Sequence, residues 1–200
     1  MTKELCHVLR NKLVALSFAD LVAGLVQPVI DTRYSEENTP VSKRMPVTYD
    51  WIAKYGEDLT NIVGSEMQLC PNENRKSVMY FEDLGTTQDT SVRVPANMMA
   101  YSSRVRLVVW LNKLQIGKQT TSEVTGTCIA EILRKLSVGA VINEGNITRC
   151  FCTLSQMAIQ DAAIFSRYNY DEAETQYLRP PFEYFALDFT CRYVYRIGCE

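Results

Sequence analysis

The sequence predicts an α+β fold, in which an antiparallel β-sheet carries helices packed on one face and long inserted loops. Two segments, Met99–Leu111 and Phe182–Ile197, alternate apolar and polar residues with the period of two that is typical of strands. Near the start of the chain, leucines recur at helical spacing, at Leu5, Leu9, Leu13 and Leu16. A second helix is predicted between the capping-box pair Thr120 and Glu123 and the stop residue Gly139.

The remaining elements follow in chain order. The first helix is expected over residues 3–16, and two extended segments follow at Val26–Asp31 and Met45–Asp50. Pro28 and Pro46 predict that these are edge strands or irregular ones, because proline has no amide hydrogen for a sheet. Further expected elements are a short helix around Trp51–Tyr55, strands at Met67–Cys70, Ser77–Phe81 and Asn146–Leu154, and a brief helix within residues 156–166.

Three polar segments interrupt this pattern, at about residues 32–44, 83–97 and 168–181. They are longer than the usual connections within a compact domain. We therefore predict a single α+β domain over residues 1–200 with these segments as extended loops.

Composition excludes several classes of protein. With 46% hydrophobic residues and 22% charged residues the chain is neither mainly disordered nor collagenous. A net charge of −2 argues against a free-standing nucleic-acid binder, which usually has a basic excess. No segment reaches the roughly 18–20 apolar residues that a membrane span needs, so we expect no membrane association.

The cysteines give little sign of metal binding. There are seven, an odd number without repeated spacing, and Cys150 and Cys152 form only a single Cys-x-Cys pair. A structural zinc site usually needs Cys-x-x-Cys pairs or added histidines. We expect reduced and mostly buried thiols, with no metal and no cofactor.

Catalytic centres find little support either. The only histidine is His7, and its neighbour Cys6 points about 100° away on a helix, so the two do not form a nucleophile–base pair. No glycine-rich phosphate loop occurs, and most acidic clusters lie in predicted loops. We therefore predict that the protein is not an enzyme and has no catalytic residues.

Arginine and aromatic residues on the polar faces of the two long strands indicate a contact surface. Arginine, tryptophan and tyrosine are the types enriched at protein interfaces. The alternative is a solvated sheet face with local acidic partners such as Asp188. The candidate subunit-interface residues are Arg104, Arg106, Trp110, Tyr184, Arg192 and Arg196, and the candidate contacts on the extended loops are Tyr34, Arg44, Tyr168, Tyr170, Tyr177 and Arg179.

The order of elements resembles that of tail-terminator and neck (head–tail connector) proteins of tailed phages. The segments that carry it are Met99–Leu111, Thr120–Gly139 and Phe182–Ile197, as a pattern of elements and not as a residue signature. The resemblance implies a virion structural protein assembled in the host cytoplasm. Its subunits would form a six- or twelve-fold ring between portal or adaptor and tail proteins, around a channel through which DNA passes without sequence-specific binding. The alternative is a non-catalytic binding or assembly module of a cytosolic protein complex.

Overall fold

The computed structural model describes residues 1–36, 39–55, 58–60, 67–69, 73–117, 122–136, 138, 140–168 and 178–197. Within these ranges the fold is mixed α/β and mostly β, with a curled sheet whose strands are largely antiparallel. The helices are α1 (Thr2–Leu13), α2 (Lys113–Ile116) and α3 (Ser122–Lys135), and a 3₁₀ turn covers Ala162–Phe165. The strands are β1 (Leu21–Leu25), β2 (Gln27–Glu36), β3 (Thr39–Thr48), β4 (Trp51–Tyr55), β5 (Asp58–Thr60), β6 (Met67–Gln68), β7 (Ser77–Gln88), β8 (Met98–Asn112), β9 (Val141–Glu144), β10 (Ile147–Ile159) and β11 (Phe182–Arg196).

Eight strands form the main sheet, in the order β5-β4-β1-β7-β8-β11-β10-β9. All neighbours are antiparallel except β1 and β7, which run parallel. The described strands therefore form a mixed sheet, not the purely antiparallel one predicted. Strands β2, β3 and β6 form a second, three-stranded sheet.

The two long alternating segments form strands, as predicted, and lie side by side near the centre of the main sheet. Strands β8 and β11 pair without interruption from Asn112 opposite Phe182 to Met98 opposite Arg196. At about 3.4 Å per residue, this ladder of fifteen pairs is about 50 Å long. Strands β7 and β10 flank it, so residues far apart in sequence meet across four neighbouring strands.

Apolar residues occupy both faces of this sheet. The first hydrophobic cluster joins Leu9 of α1 and Ile132 of α3 to Leu107 of β8 and Leu187 of β11, which lie opposite each other. Burying one leucine side chain fully is worth about 1.5–3 kcal/mol, so these alternating positions dominate the stability of the domain. A second cluster lies on the opposite face and contains residues from β1, β4, β7, β8 and β11 and from the 3₁₀ turn.

The segment Trp51–Tyr55 is strand β4, so the prediction of a short helix there is wrong. It pairs with β1, with Ala53 opposite Leu21. Trp51 and Ala53 are buried, whereas Ile52 between them is only half-buried. This period of two over a short segment is the pattern of a strand.

Two of the three predicted loops contain long strands. Residues 32–36 and 39–44 belong to strands β2 and β3, which pair from Gln27 opposite Val47 to Glu36 opposite Thr39. Among the described residues, a third strand, β6, pairs with this hairpin only at Val47 and Thr48 of β3. The paired strands β2 and β3 are called the hairpin arm below. Ten residues per strand correspond to about 33 Å.

The second predicted loop, residues 83–97, begins inside β7. That strand continues to Gln88 by means of a bulge between Asp83 and Gly85. Gly85 has a φ of +127°, a backbone conformation that residues with a side chain rarely adopt. The third segment, 168–181, is described only at residue 168 and from residue 178 onward.

Candidate functional site

The predicted arginine surface lies on one face of the central sheet. Because β8 and β11 are neighbours in continuous register, Arg104, Arg106, Arg192 and Arg196 all project from the same face. Arg104, Arg192 and Arg196 are exposed, whereas Arg106 is only half-exposed. Three of the four predicted arginines are therefore exposed on this face.

Arg106 instead belongs to an internal charge cluster that spans three strands. Its Nε and Nη2 atoms donate to the two carboxylate oxygens of Asp188, at 2.7 and 3.0 Å. This two-pronged bond with Asp188 raises the pKa of Arg106 and keeps it charged. Glu82 of β7 lies opposite Arg106 on the other side. Asp188, the local acidic partner named as the alternative to a contact surface, is thus bound to Arg106.

Glu82 is buried within the same cluster. Its Oε1 accepts a hydrogen bond of 2.6 Å from the hydroxyl of Tyr168, and Nη1 of Arg167 lies 3.8 Å from Oε2. Burial raises the pKa of Glu82, and the bond from Tyr168 and the charge of Arg167 oppose that shift. Tyr168 is one of the predicted loop contacts, but its side chain is buried. Its ring packs edge-on against Tyr80, with the ring centroids 6.2 Å apart.

Trp110 and Tyr184, also predicted as interface residues, are buried in the second hydrophobic cluster of the same chain. The Trp110 ring stacks on Phe182 with centroids 5.0 Å apart, and Tyr184 meets the edge of Phe165 at 5.1 Å. The 3₁₀ turn supplies part of this cover, so the two rings leave little area for another subunit. Their alternation with arginine in the sequence does not reveal that cover.

The other predicted loop contacts are distributed as follows. Arg44 is exposed on the hairpin arm, opposite Ile30, and Arg179 is exposed just before β11. Tyr34 lies in β2, but its side chain is outside the described part of the structure. Tyr170 and Tyr177 lie outside the described residues altogether.

Sequence reasoning missed a pocket in which His7 meets Asp50. The Nδ1 atom of His7 lies 3.1 and 3.2 Å from the two carboxylate oxygens of Asp50. Arg10, one helical turn further on the same face of α1, forms an ion pair with Asp50. The pocket has a volume of about 420 Å³. The i, i+3 spacing of His7 and Arg10 places both on one helix face, but nothing local points to Asp50.

The charged and polar side chains of this pocket meet at Asp50. The Nδ1 atom of His7 and the guanidinium of Arg10 both contact its carboxylate. Burial lowers the pKa of Arg10, and the nearby Asp50 opposes this shift. No serine, threonine or cysteine stands among the described residues that line the pocket. The arrangement ties α1 to the start of β4.

An apolar strip on β10 was also missed. Leu154, Met157 and Ile159 are 36–48% exposed on this one strand. Leu154, Met157 and Ile159 lie opposite Phe189, Leu187 and Phe185, which are buried in the first cluster. The core-facing side of the sheet therefore extends onto β10, where the described residues leave it partly exposed.

The same strand has an open backbone edge. Strand β9 pairs with β10 only as far as Phe151, opposite Val141. From Cys152 to Ile159 the described structure pairs β10 with β11 alone. Residues 152–159 and their exposed apolar side chains are called the β10 edge below. Alternation in the sequence ended the predicted strand at Leu154, so this edge was not anticipated.

Comparisons with known proteins leave the function to be argued from geometry. No protein-family model matches the chain, and no curated protein matches it significantly. Among the described residues, no group of three histidine, cysteine or carboxylate side chains has an arrangement that could hold a metal ion. The described helices are all too short or too polar to cross a membrane.

Proposed function

We propose that this protein is a structural subunit of a virion neck or tail ring that joins the portal to the tail around the DNA channel. The observation that carries the proposal is the β10 edge, where a strand edge that pairs with no described strand coincides with exposed apolar side chains. Proteins usually protect such edges with charges, prolines or covering segments, because an open edge templates pairing with another chain. A subunit that works by contact needs a surface of this kind.

The partner at the β10 edge is a neighbouring copy of the chain. Backbone amides and carbonyls of residues 152–159 would pair with a strand of the neighbour, and Leu154, Met157 and Ile159 would lose their exposed area. Contacts between two different surfaces of successive subunits close into a ring when the rotation allows it. A six- or twelve-fold ring would use the β10 edge as one of these two surfaces.

The rest of the molecule fits the same role. Helices α1 and α3 would cover one face of the sheet, and the exposed arginines on the other face, outside the second hydrophobic cluster, would remain for contacts with other proteins. Arg104, Arg192 and Arg196 would meet acidic groups of neighbouring subunits or of portal, adaptor and tail proteins. The hairpin arm would reach an adjacent subunit, and the net charge of −2 would let DNA pass without sequence-specific binding.

Native mass measurement tests the ring directly. Light scattering and native mass spectrometry of the purified protein should give a closed oligomer of six or twelve subunits, and electron microscopy should show rings. A monomer at every concentration contradicts the ring and leaves the alternative, a non-catalytic module of a cytosolic complex.

Variants test the surfaces. The pair Leu154→Lys and Met157→Lys should keep the fold, because both side chains are exposed, and should abolish the oligomer. Leu114→Lys is the matched control, since Leu114 is an exposed leucine on α2 and not on β10. Arg192→Glu with Arg196→Glu should likewise give folded, assembly-defective subunits. Normal rings from the β10 variant would rule out this edge as the contact.

A further inference from the structure

Three cysteines of the first hydrophobic cluster meet where β10 pairs with β11. Cys152 and Cys191 are directly opposite each other in the antiparallel register. Their Sγ atoms lie 2.6 Å apart, closer than two non-bonded sulfur atoms normally come. The Sγ of Cys150 lies 3.6 Å from that of Cys152, which is an ordinary contact. The geometry thus singles out one pair among the three thiols.

The backbone of this pair has the right dimensions for a covalent bond. Directly opposed residues of antiparallel strands have Cα atoms about 4.5–5.5 Å apart. A disulfide needs a Cα separation of about 4.4–6.8 Å. Cys152 and Cys191 can therefore be joined without moving either strand.

A shared metal ion fits this geometry poorly. Thiolates bound to tetrahedral zinc at about 2.3 Å stay about 3.7 Å from one another. The 2.6 Å contact between Cys152 and Cys191 is too short for that arrangement. No histidine or carboxylate in the described part of the chain completes a metal site with them.

We propose that Cys152 and Cys191 are an oxidation site that forms a cross-strand disulfide when the protein meets a small-molecule disulfide such as glutathione disulfide. One protein thiolate attacks a sulfur of the oxidant, forms a mixed disulfide and expels the first small thiolate. The second protein thiolate then attacks the protein sulfur of that mixed disulfide and expels the second small thiolate. The two thiol protons end on the two released thiolates, and the two electrons of the protein pair reduce the oxidant.

Access to the pair depends on the edge strand. Cys150, Cys152 and Cys191 are buried, and hydrogen bonds to Cys150 and Cys152, together with burial, raise the pKa of the Cys191 thiol well above its usual range. The closed sheet therefore keeps this thiol protonated and away from the oxidant. Opening of β10, whose outer side beyond Phe151 pairs with no described strand, exposes it. The finished bond would fasten this edge strand to β11.

Peptide mapping of the full chain tests the site. Protein kept under reductant is exposed to glutathione disulfide, quenched with acid, unfolded and treated with N-ethylmaleimide. We expect two fewer alkylated cysteines than the seven of the reduced protein. Trypsin should release residues 150–167 linked to residues 168–192, a product that reductant separates. Oxidation should become faster in low, non-denaturing concentrations of urea, because opening of the strand is required.

Single substitutions identify the bonded sulfur on β10, since Cys150 and Cys152 share one tryptic peptide. Cys150→Ala is the matched control and should keep the linked product, whereas Cys152→Ala should lose it. Full alkylation of the oxidised wild type overturns the proposal, and so does a link through Cys150 or any other cysteine. Fragment ions of the wild-type product locate the bond directly, so the result does not depend on the folding of a variant.

Discussion

Replacing Asp50 by alanine removes a carboxylate on which several elements converge. Its side chain binds His7 and Arg10 of α1. Its backbone carbonyl accepts a hydrogen bond of 2.7 Å from the amide of Gly24 in β1. Its amide donates to the hydroxyl of Thr48 at the end of β3. The substitution keeps the backbone bonds and isolates the contribution of the carboxylate.

The expected loss comes mainly from Arg10. This side chain is only 3% exposed, so Asp50→Ala leaves a buried guanidinium without its charged partner. Breaking a buried pair in this way costs about 3–5 kcal/mol. The lower end applies, since Asp50 is 15% exposed and Asn11 still accepts from Arg10 at 2.7 and 3.2 Å. His7 is 46% exposed and adds less than about 1 kcal/mol.

Urea denaturation and thermal melting measure this effect. For a domain of this size about 3 kcal/mol corresponds to a fall in melting temperature of about 6–12 °C. His7→Ala serves as the control and should change the free energy of unfolding by less than about 1 kcal/mol. The double variant Asp50→Ala with Arg10→Met should be more stable than Asp50→Ala alone, because methionine leaves no unpaired charge.

Two results would refute this reasoning. The first is an Asp50→Ala protein within about 1 kcal/mol of the wild type, the range of surface ion pairs. The second is a double variant whose loss of stability equals the sum of the losses of Asp50→Ala and Arg10→Met measured separately. Effects of independent sites add, whereas those of coupled sites do not.

Other substitutions probe neighbouring features. Gly24→Ala should destabilise the protein, because the new Cβ would lie 2.1 Å from Oδ2 of Asp50. The expected loss is about 2 kcal/mol, which is within the usual range for forced repacking. This loss should disappear when Asp50 is also replaced by alanine. Gly126→Ala in α3 should instead stabilise by up to about 1 kcal/mol, since its new methyl group meets nothing within 4 Å. Burial raises the folded-state pKa of Glu82, so the wild type loses stability as pH rises from about 4.5 through that raised value. The stability of Glu82→Gln relative to the wild type should therefore grow with pH in urea titrations across that window, and a constant difference would contradict the assignment.

Patterns of near neighbours predicted the long elements. Alternation over Met99–Leu111 and Phe182–Ile197 identified β8 and β11 to within a residue or two. In these strands successive side chains point to opposite faces of the sheet, which have different surroundings. Leucine spacing identified α1 for the same reason at a helical period. At Trp51–Tyr55 the pattern was too short to separate strand from helix, and pairing with β1 decided the outcome.

By itself, the sequence determined where the two longest strands, β8 and β11, and the first helix lie and which of their residues share a face, since both depend on side chains two to four positions apart. Only the tertiary structure decided the partners. Arg106 meets Asp188, His7 meets Asp50 and Cys152 meets Cys191 through register between distant strands or packing of a helix on a loop. Burial of Trp110 by the second cluster and exposure of the β10 edge are equally long-range. Such contacts follow from the folding of the whole chain, which no local periodicity encodes.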